Sequence, residues 1–384
     1  MPKLLHLSDV HLDSRFDGIG LPPDLAKARR AEVRQTFADA VAMASRGRVS
    51  AVLIAGDLFE HRWVTKATVN FLRDLMADLG STPVFIAPGN HDPLVPESYY
   101  LTLDWPRNVH IFGRREPGQL ETAGRPDLGL VIHGFGAYRY DSDEDALGSV
   151  DLAALIDDPA LFRVLLIHGS ETTSVPDGVA LFQPIDPARA AQADFDYVAL
   201  GHYHRRRAAC LDRTMVVYPG SPEGLNFGEP GEHGVYLIDY GEHGRPARAE
   251  FRPLGRRAHV TQPVDLTGIR SDEEAAARLL GVAEEAARRR DLFRLTLTGR
   301  LDPSLELDLR TVKAQVKPSF HFVEWQDETR PDWDLEALAK GESARAVFVR
   351  EVIAKIVAEP EREPFWRRVL TAGLSAFEGR SVAG

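Results

Sequence analysis

Short, almost unbroken apolar runs alternate with longer segments of helical period over the first 250 or so residues. The runs at 3–7, 50–55, 83–87, 163–167 and 197–200 are each bounded by Gly, Pro or polar residues and read as interior strands. Between the first two lies a stretch, 24–44, in which Ala28, Ala31, Phe37, Ala40, Val41 and Ala44 approximate a helical stripe. Residues 65–79 repeat that stripe with Val69, Leu72, Leu75 and Met76, and the face Phe71, Leu75 and Met76 is assigned to the core. Both segments are predicted to be crossover helices. Further strands are expected at 109–112, 130–133, 215–218 and 235–240, in a second sheet. The fold class is therefore α/β and layered.

The pattern changes after the stretch RPLGRR, 252–257, which is predicted to be a linker. A smaller α+β module follows, with strands at 259–264, 293–298 and 320–325 and a helix over 271–290 started by Ser271 and Glu274 as a capping box. From about residue 332 the chain is expected to be helical, with Phe348, Val349, Val352, Ile356 and Val357 on one stripe and Trp366, Leu370, Leu374 and Phe377 on another. The second stripe fits packing on the protein's own core and docking to a partner equally well. Three domains are expected, over 1–255, 256–330 and 331–384.

Composition narrows the class without deciding it. With 44% hydrophobic and 27% charged residues, and no apolar run near the roughly 20 residues of a membrane span, a water-soluble protein with no membrane role is expected. The opening MPKLLHLSDVHL lacks an apolar signal core, and Cys210 is the only cysteine, so the expected address is cytoplasmic and without disulfides. A formal charge of −11 argues against coating nucleic acid by bulk electrostatics, but leaves room for a local basic groove or a bound metal.

Each of the five strongest strands ends in residues able to bind metal. The sequence reads LSDVH at Asp9 and His11, AGD at Asp57, GNHD at Asn90 and His91, IHG at His168, and GHYH at His202 and His204. Ligands of open α/β sheets bind outside the carboxyl ends of the strands, so these residues should converge on one crevice. In Asp9-Val10-His11 and His202-Tyr203-His204 the polar pair is two apart, and an extended chain would project both members to one side. Carboxylate, amide and imidazole donors suit Mn²⁺, Fe²⁺ or Zn²⁺, and the lack of thiolates argues against structural zinc. Seven candidate ligands exceed the needs of one ion, whereas two ions sharing a carboxylate would use them and could activate water for phosphate ester hydrolysis. A lone histidine at a strand end is more often structural, as His110 and His133 illustrate, but agreement at five ends is not expected by chance.

The ordered blocks D-x-H, GD, GNHD, a lone H and GH-x-H resemble those of the calcineurin-like metallophosphoesterases. That resemblance implies a four-layer sandwich of two β-sheets flanked by helices, with a small α+β capping domain and C-terminal helices. It assigns Asp9, His11, Asp57 and His204 to one divalent metal and Asp57, Asn90, His168 and His202 to the other, with Asp57 as the bridge. It also makes His91 the catalytic, non-ligand histidine that contacts the scissile phosphate and supports the leaving group, with Asp92 orienting its neighbours.

The wider plan resembles the SbcD-type, YhaO-like DNA repair nuclease subunits, on the stretches KLLHLSDVHLD, AGDLFE, PVFIAPGNHDP, YVALGHYHRR and YPGSPEGLNFGE. This implies Mn²⁺-dependent exonuclease or endonuclease cleavage of DNA, a homodimer, and an SbcC-like coiled-coil ABC ATPase docked on C-terminal helices. The module at 256–330 would then cap the site and help recognise DNA. YPGSPEG, 218–224, is read as a loop beside the active site rather than a plain turn. Arg205, Arg206, Arg207, Arg62, Arg114 and Arg115 are candidate phosphate contacts or a solvated face, and Arg288, Arg289 and Arg290 fit a helix dipole as well. Related nucleases place a DNA-positioning histidine three residues after the bridging aspartate. Glu60 stands there in this chain, and His61 follows as a candidate DNA contact. Two alternatives stay open: a phosphoesterase for small molecules or proteins, and a DNA- or ATPase-docking adaptor with vestigial catalysis.

Overall fold

The computed structural model describes residues 1–145, 147, 148, 150, 151, 155, 158, 160–172, 181–303 and 307–377. The final seven positions of the expected C-terminal region lie outside these. The described chain divides into two compact units, Met1–His259 and Val260–Gly384.

The described residues of the first unit form twelve strands: β1 (Lys3–Leu7), β2 (Ala51–Ile54), β3 (Val84–Ile86), β4 (Val109–Ile111), β5 (Glu121–Arg125), β6 (Leu130–Phe135), β7 (Phe162–His168), β8 (Tyr197–Gly201), β9 (Arg207–Leu211), β10 (Thr214–Tyr218), β11 (Gly234–Asp239) and β12 (Arg248–Pro253). They form two mixed six-stranded sheets, ordered β12-β11-β1-β2-β3-β4 and β5-β6-β7-β8-β10-β9. The centre of each is parallel: β1 to β4 in the first, and β6, β7, β8 and β10 in the second. Antiparallel pairing adds β11 and β12 at one side of the first sheet and β5 and β9 at the two edges of the second, while β4 is a parallel edge.

Parallel strands covered on both faces are mostly apolar, and β2, β3, β7 and β8 are buried along their whole length, with Arg163 and His168 at the two ends of β7 as the polar exceptions. One apolar cluster draws on both sheets, with Leu4, Leu53 and Phe85 from the first and Ile132, Val164, Leu166 and Val217 from the second. His6 joins the sheets through a 2.7 Å contact between its Nδ1 and the Tyr197 hydroxyl; burial lowers its pKa to about 3, so it is a neutral core residue. The helices α1 (Pro23–Gly47) and α2 (Lys66–Ala77) flank the unit and bury Val33, Phe37, Ala40, Val69, Leu72 and Met76. Thr65 caps α2 by accepting from the Thr68 amide. In the expected apolar face of α2 only Met76 is fully buried, while Phe71 and Leu75 are half-buried.

The expected linker is only partly one. Arg252 and Pro253 complete edge strand β12, and Arg256 and Arg257 pair with Asp39 and Glu32. In the second unit, β13 (His259–Asp265), β14 (Leu292–Thr298) and a strand at Phe322–Asp327 form a three-stranded sheet. The helix expected over 271–290 is two helices, Asp272–Leu280 and Glu285–Arg290. Gly281 ends the first, and the Arg288 guanidinium bonds the carbonyls of Leu280 and Ala283 that the break exposes. Ser271 makes the expected cap to the Glu274 amide, while the Glu274 carboxylate accepts from the Arg270 amide instead of closing the box. The C-terminal helices Ala344–Ala358 and Glu363–Phe377 share an apolar cluster of Val349, Val352, Leu370 and Leu374. Their stripes therefore meet each other, leaving Val357 and Phe377 exposed.

Candidate metal centre

All seven candidate ligands follow or end the central parallel strands of the two sheets, at their carboxyl ends. The chain does not reach them extended, as the two-residue spacing had implied. Asp9, His11 and Asp57 take left-handed backbone conformations with φ of 54°, 49° and 52°, and His202 has φ of 110°. Non-glycine residues avoid this region, at a cost of about 1–3 kcal/mol each, and such strain collects at functional sites. Here it is held by pairing that continues past the strands: the amides of Asp9 and His11 donate to the carbonyls of Gly56 and Asp57, at 3.1 and 2.9 Å.

Two glycines let the loops close in. A Cβ on Gly56, at φ +81°, would collide with the His168 ring, and one on Gly89 would collide with the Asp57 carboxylate and amide.

Asp57 lies at the centre. Its Oδ2 is 3.3 Å from His168 Nε2 and 3.6 Å from His11 Nε2, and its Oδ1 accepts from the His91 amide at 2.8 Å. Three groups have ligand atoms within 4.8 Å of one another: Asp9, His11 and His204; His11, Asp57 and His91; Asp9, Asp57 and His168. Asn90 Oδ1 lies 3.0 Å from His168 Nε2. The His202 amide donates to Asp9, at 3.1 and 3.2 Å, and its ring stands 5.2 Å from that of His168.

The far side of each ring is occupied. His168 Nδ1 donates to the Ala55 carbonyl at 2.8 Å, His11 Nδ1 faces Glu60 at 2.7 Å, and His204 Nδ1 faces Glu229 at 2.8 Å. The three Nε2 atoms are thereby turned toward the cluster, and those of His11 and His204 lie 3.1 Å apart. Unprotonated, they present converging lone pairs beside buried carboxylates, an arrangement that calls for cations. The electrostatics agree. Burial lowers His168 and His204, yet nearby carboxylates push each up to about 9. Burial likewise opposes charge on Asp57, but the imidazoles of His168, His11 and His91 hold it well below the usual carboxylate range. The donor set thus fits divalent metal.

Asp92 is fully buried and accepts from the amides of Gly89, Asp57 and Leu58 and from the Tyr100 hydroxyl, at 2.7, 3.1, 2.7 and 2.8 Å. It fastens the Asn90–His91 turn to the Asp57 turn, and burial together with the Asp57 charge pushes it up to about 6. His110 and His133 are decoys, His133 being tied to the Thr122 hydroxyl at 2.9 Å.

Two acids escaped assignment from sequence. Glu60 spans His11 Nδ1 and His91 Nδ1, at 2.7 and 2.9 Å, so the position where the sequence departs from its relatives' pattern holds two imidazoles at once. Glu229 holds His204 and itself accepts from the Ser221 hydroxyl and the Leu225 amide, both at 3.0 Å. Glu229 lies in the quoted stretch YPGSPEGLNFGE, but nothing in its spacing marks it as a partner of His204. The same stretch reaches α1 through Glu223, which accepts from Arg29 at 2.9 Å. Of the candidate DNA contacts, Arg206 pairs with Glu232 at 3.2 Å, and Arg205 and Arg206 line a cleft of about 230 Å³ with His204. His61 and Arg62 stand on the turn after Glu60 and do not line that cleft.

Two mixed sheets flanked by helices, with this donor set across their strand ends, define a metal-dependent phosphoesterase, and the chain belongs to the calcineurin-like phosphoesterase family, which it matches over residues 2–206. The family hydrolyses phosphoesters with a dinuclear divalent-metal site. Among curated relatives it is similar to the uncharacterized metallophosphoesterase YhaO of Bacillus subtilis, 31% identical over 61% of this chain and 56% of that protein. The DNA double-strand break repair protein Mre11 of Methanopyrus kandleri is 25% identical over 72% of this chain and 62% of that protein. The SbcD component of the nuclease SbcCD of Bacillus subtilis is 25% identical over 62% of this chain and 66% of that protein. The chain thus spans less than two thirds of these relatives. Among the described residues no helix is long and apolar enough to cross a membrane.

Proposed function

We propose that this protein hydrolyses DNA phosphodiesters at a dinuclear centre, with Mn²⁺ as the working metal and Fe²⁺ or Zn²⁺ as substitutes. Asp9, His11, Asp57 and His204 hold one ion and Asp57, Asn90, His168 and His202 the other. When bound, such a pair supplies activated water and a clamp on the phosphoryl oxygens. The observation that carries the reading is the contrast between a buried donor cluster and one exposed imidazole at its edge: His91, with 43% of its side chain accessible and Nδ1 held by Glu60. Its other ring nitrogen is free to meet a scissile phosphate and to protonate the leaving group. Asp57 orients it by accepting from its amide.

DNA is favoured over small phosphoesters by two of the named relatives and by the extra unit after His259, which small substrates do not need. The division into a nuclease domain at 1–255, a DNA-recognition module at 256–330 and an ATPase-docking segment at 331–384 belongs to the same proposal, as do homodimerisation and an SbcC-like coiled-coil ATPase. Exposed Val347, Val357, Phe365 and Phe377 on the C-terminal helices are consistent with such docking.

The test is incubation of the purified protein with labelled single- and double-stranded DNA under varied metals, beside His91→Ala. Metal-dependent cleavage lost in the variant is expected. Turnover of bis(p-nitrophenyl) phosphate with no DNA cleavage would replace this reading with a small-molecule phosphodiesterase.

A further inference from the structure

The turn after Glu60 carries His61, Arg62 and Trp63, none of which is a candidate metal ligand. It is fastened to the centre: the His61 amide donates to the His91 carbonyl at 2.9 Å, and the amides of Trp63 and Val64 donate to the Glu60 carbonyl at 2.8 and 2.7 Å. Arg62 and Trp63 are exposed, and His61 is half-buried beside them. Trp63 is 46% exposed, and the Arg15 guanidinium lies over its ring, 3.4 Å from the centroid. Tyr140 is 36% exposed, with the Arg62 guanidinium 5.0 Å from its ring centroid. The His61 ring stands 6.3 Å from the rings of both Tyr140 and Tyr99. The segment bearing Tyr140 is tied to the centre as well, because Ala137 donates to the Pro88 carbonyl and accepts from the Leu94 amide, both at 2.8 Å, on either side of Asn90 and His91.

Two features separate this patch from ordinary surface. Among the described residues of the first unit, the exposed large apolar side chains are Met1, Trp63, Tyr140 and Leu211, and two of these four share the patch. Its arginines also differ from two of the three that follow the last candidate ligand pair, Arg205 being unpaired among the described residues as well. Arg206 and Arg207 are neutralised by Glu232 and Glu171, whereas neither Arg15 nor Arg62 pairs with a carboxylate among the described residues. Unneutralised guanidinium groups interleaved with exposed aromatic faces are the combination that binds single strands, the rings stacking bases and the cations meeting phosphates. A small phosphoester offers no base to stack.

We infer that Arg15, His61, Arg62, Trp63 and Tyr140 form a stacking platform for unpaired bases of single-stranded DNA next to the reacting phosphate. The inference rests on the nuclease reading and sharpens it: a strand end must be unpaired to lie on the platform, so single strands and frayed ends are handled better than blunt duplex. Trp63 is the central ring, and Arg15 holds its plane.

The test compares KM for a single-stranded oligonucleotide and for the blunt duplex of the same sequence, in the full chain and in Trp63→Ala, Trp63→Phe and Arg15→Ala, with thermal melts to verify folding. Wild type is expected to favour the single strand. Trp63→Ala should raise KM for the single strand on the order of 10-fold, with a smaller change for duplex, and Trp63→Phe should restore most of the loss. Arg15→Ala should move KM in the same direction. If wild type cleaves DNA and both alanine variants keep its ratio of KM values, the platform is wrong. If wild type cleaves no DNA at all, the nuclease reading falls, and the platform with it.

Discussion

Glu60 and Glu229 occupy equivalent chemical positions, each a carboxylate behind a candidate metal-binding histidine, yet they are held in different ways. Glu229 is locked by its own loop, accepting from Ser221, Leu225 and Asn226 as well as His204, while its backbone carbonyl faces His233 Nε2 at 3.0 Å. Among the described residues, the Glu60 carboxylate is partnered by the two imidazoles, His11 and His91. Burial opposes charge on both acids, and hydrogen bonds from the histidines bring each to about 2. The difference lies in what else depends on them. The Glu229 side chain is part of its loop's internal wiring, whereas Glu60 is anchored through its backbone, to Leu12, Trp63 and Val64, and its carboxylate couples the exposed histidine to a buried one. Similar electrostatics can thus be reached with a support bonded within its own loop or with one bonded to the imidazoles.

The most severe way to probe this contrast is to remove what both arms serve. Asp57→Ala is expected to abolish metal-dependent hydrolysis and to lower the bound metal from two equivalents toward none, as read by metal analysis; retention of one full equivalent with near-normal turnover would overturn the bridging role. His91→Ala should keep both metals and lose about 10²- to 10⁴-fold in kcat. Glu60→Gln and Glu229→Gln should each cost about 10- to 100-fold in activity or metal affinity. They should part on stability: Glu229→Gln is expected to lower Tm and Glu60→Gln to leave it nearly unchanged, so equal Tm losses would dissolve the comparison.

The smallest effect lies behind the Glu229 loop. Glu223 in that loop is bonded to Arg29, which also pairs with Glu32, and Glu32 is bonded in turn to Arg257. Burial would raise Glu32, but Arg257 and Arg29 hold it below its ordinary value. A depressed carboxyl stabilises the fold above its unfolded pKa, and that contribution fades as pH falls through the folded value. The Tm difference between wild type and Glu32→Gln should therefore be present at neutral pH and shrink in acid, below the ordinary glutamate range. A difference that grows in acid would reverse the sign.

The strands that build the site were the most legible part of the molecule, because a parallel strand buried on both faces leaves an apolar run that survives without alignment. Three of the four edge strands of the two six-stranded sheets were not. Glu121–Arg125 and Arg248–Pro253 carry polar residues along exposed faces, and Arg207–Leu211 is exposed at four of its five positions, so none of the three is a buried apolar run. Within the site, the ligand types and their order were visible, whereas the left-handed turns at Asp9, His11 and Asp57 were not, since those conformations are imposed by pairing between loops from distant parts of the chain. Glu229 was invisible for a similar reason: a carboxylate's partner is set by folding across 25 residues, not by spacing.

The bond from the His202 amide to Asp9 joins residues 193 positions apart. At ribosomal speeds of about 5–20 residues per second, that separation corresponds to roughly 10–40 s between the synthesis of the first donor and of the last pair. The nascent chain therefore offers early donors long before the complete pocket exists. On the proposed ligand set, both ions could be held only after His204 has been made, so the fidelity of loading would depend on the ion pool that the completed site meets rather than on the one present when Asp9 is made.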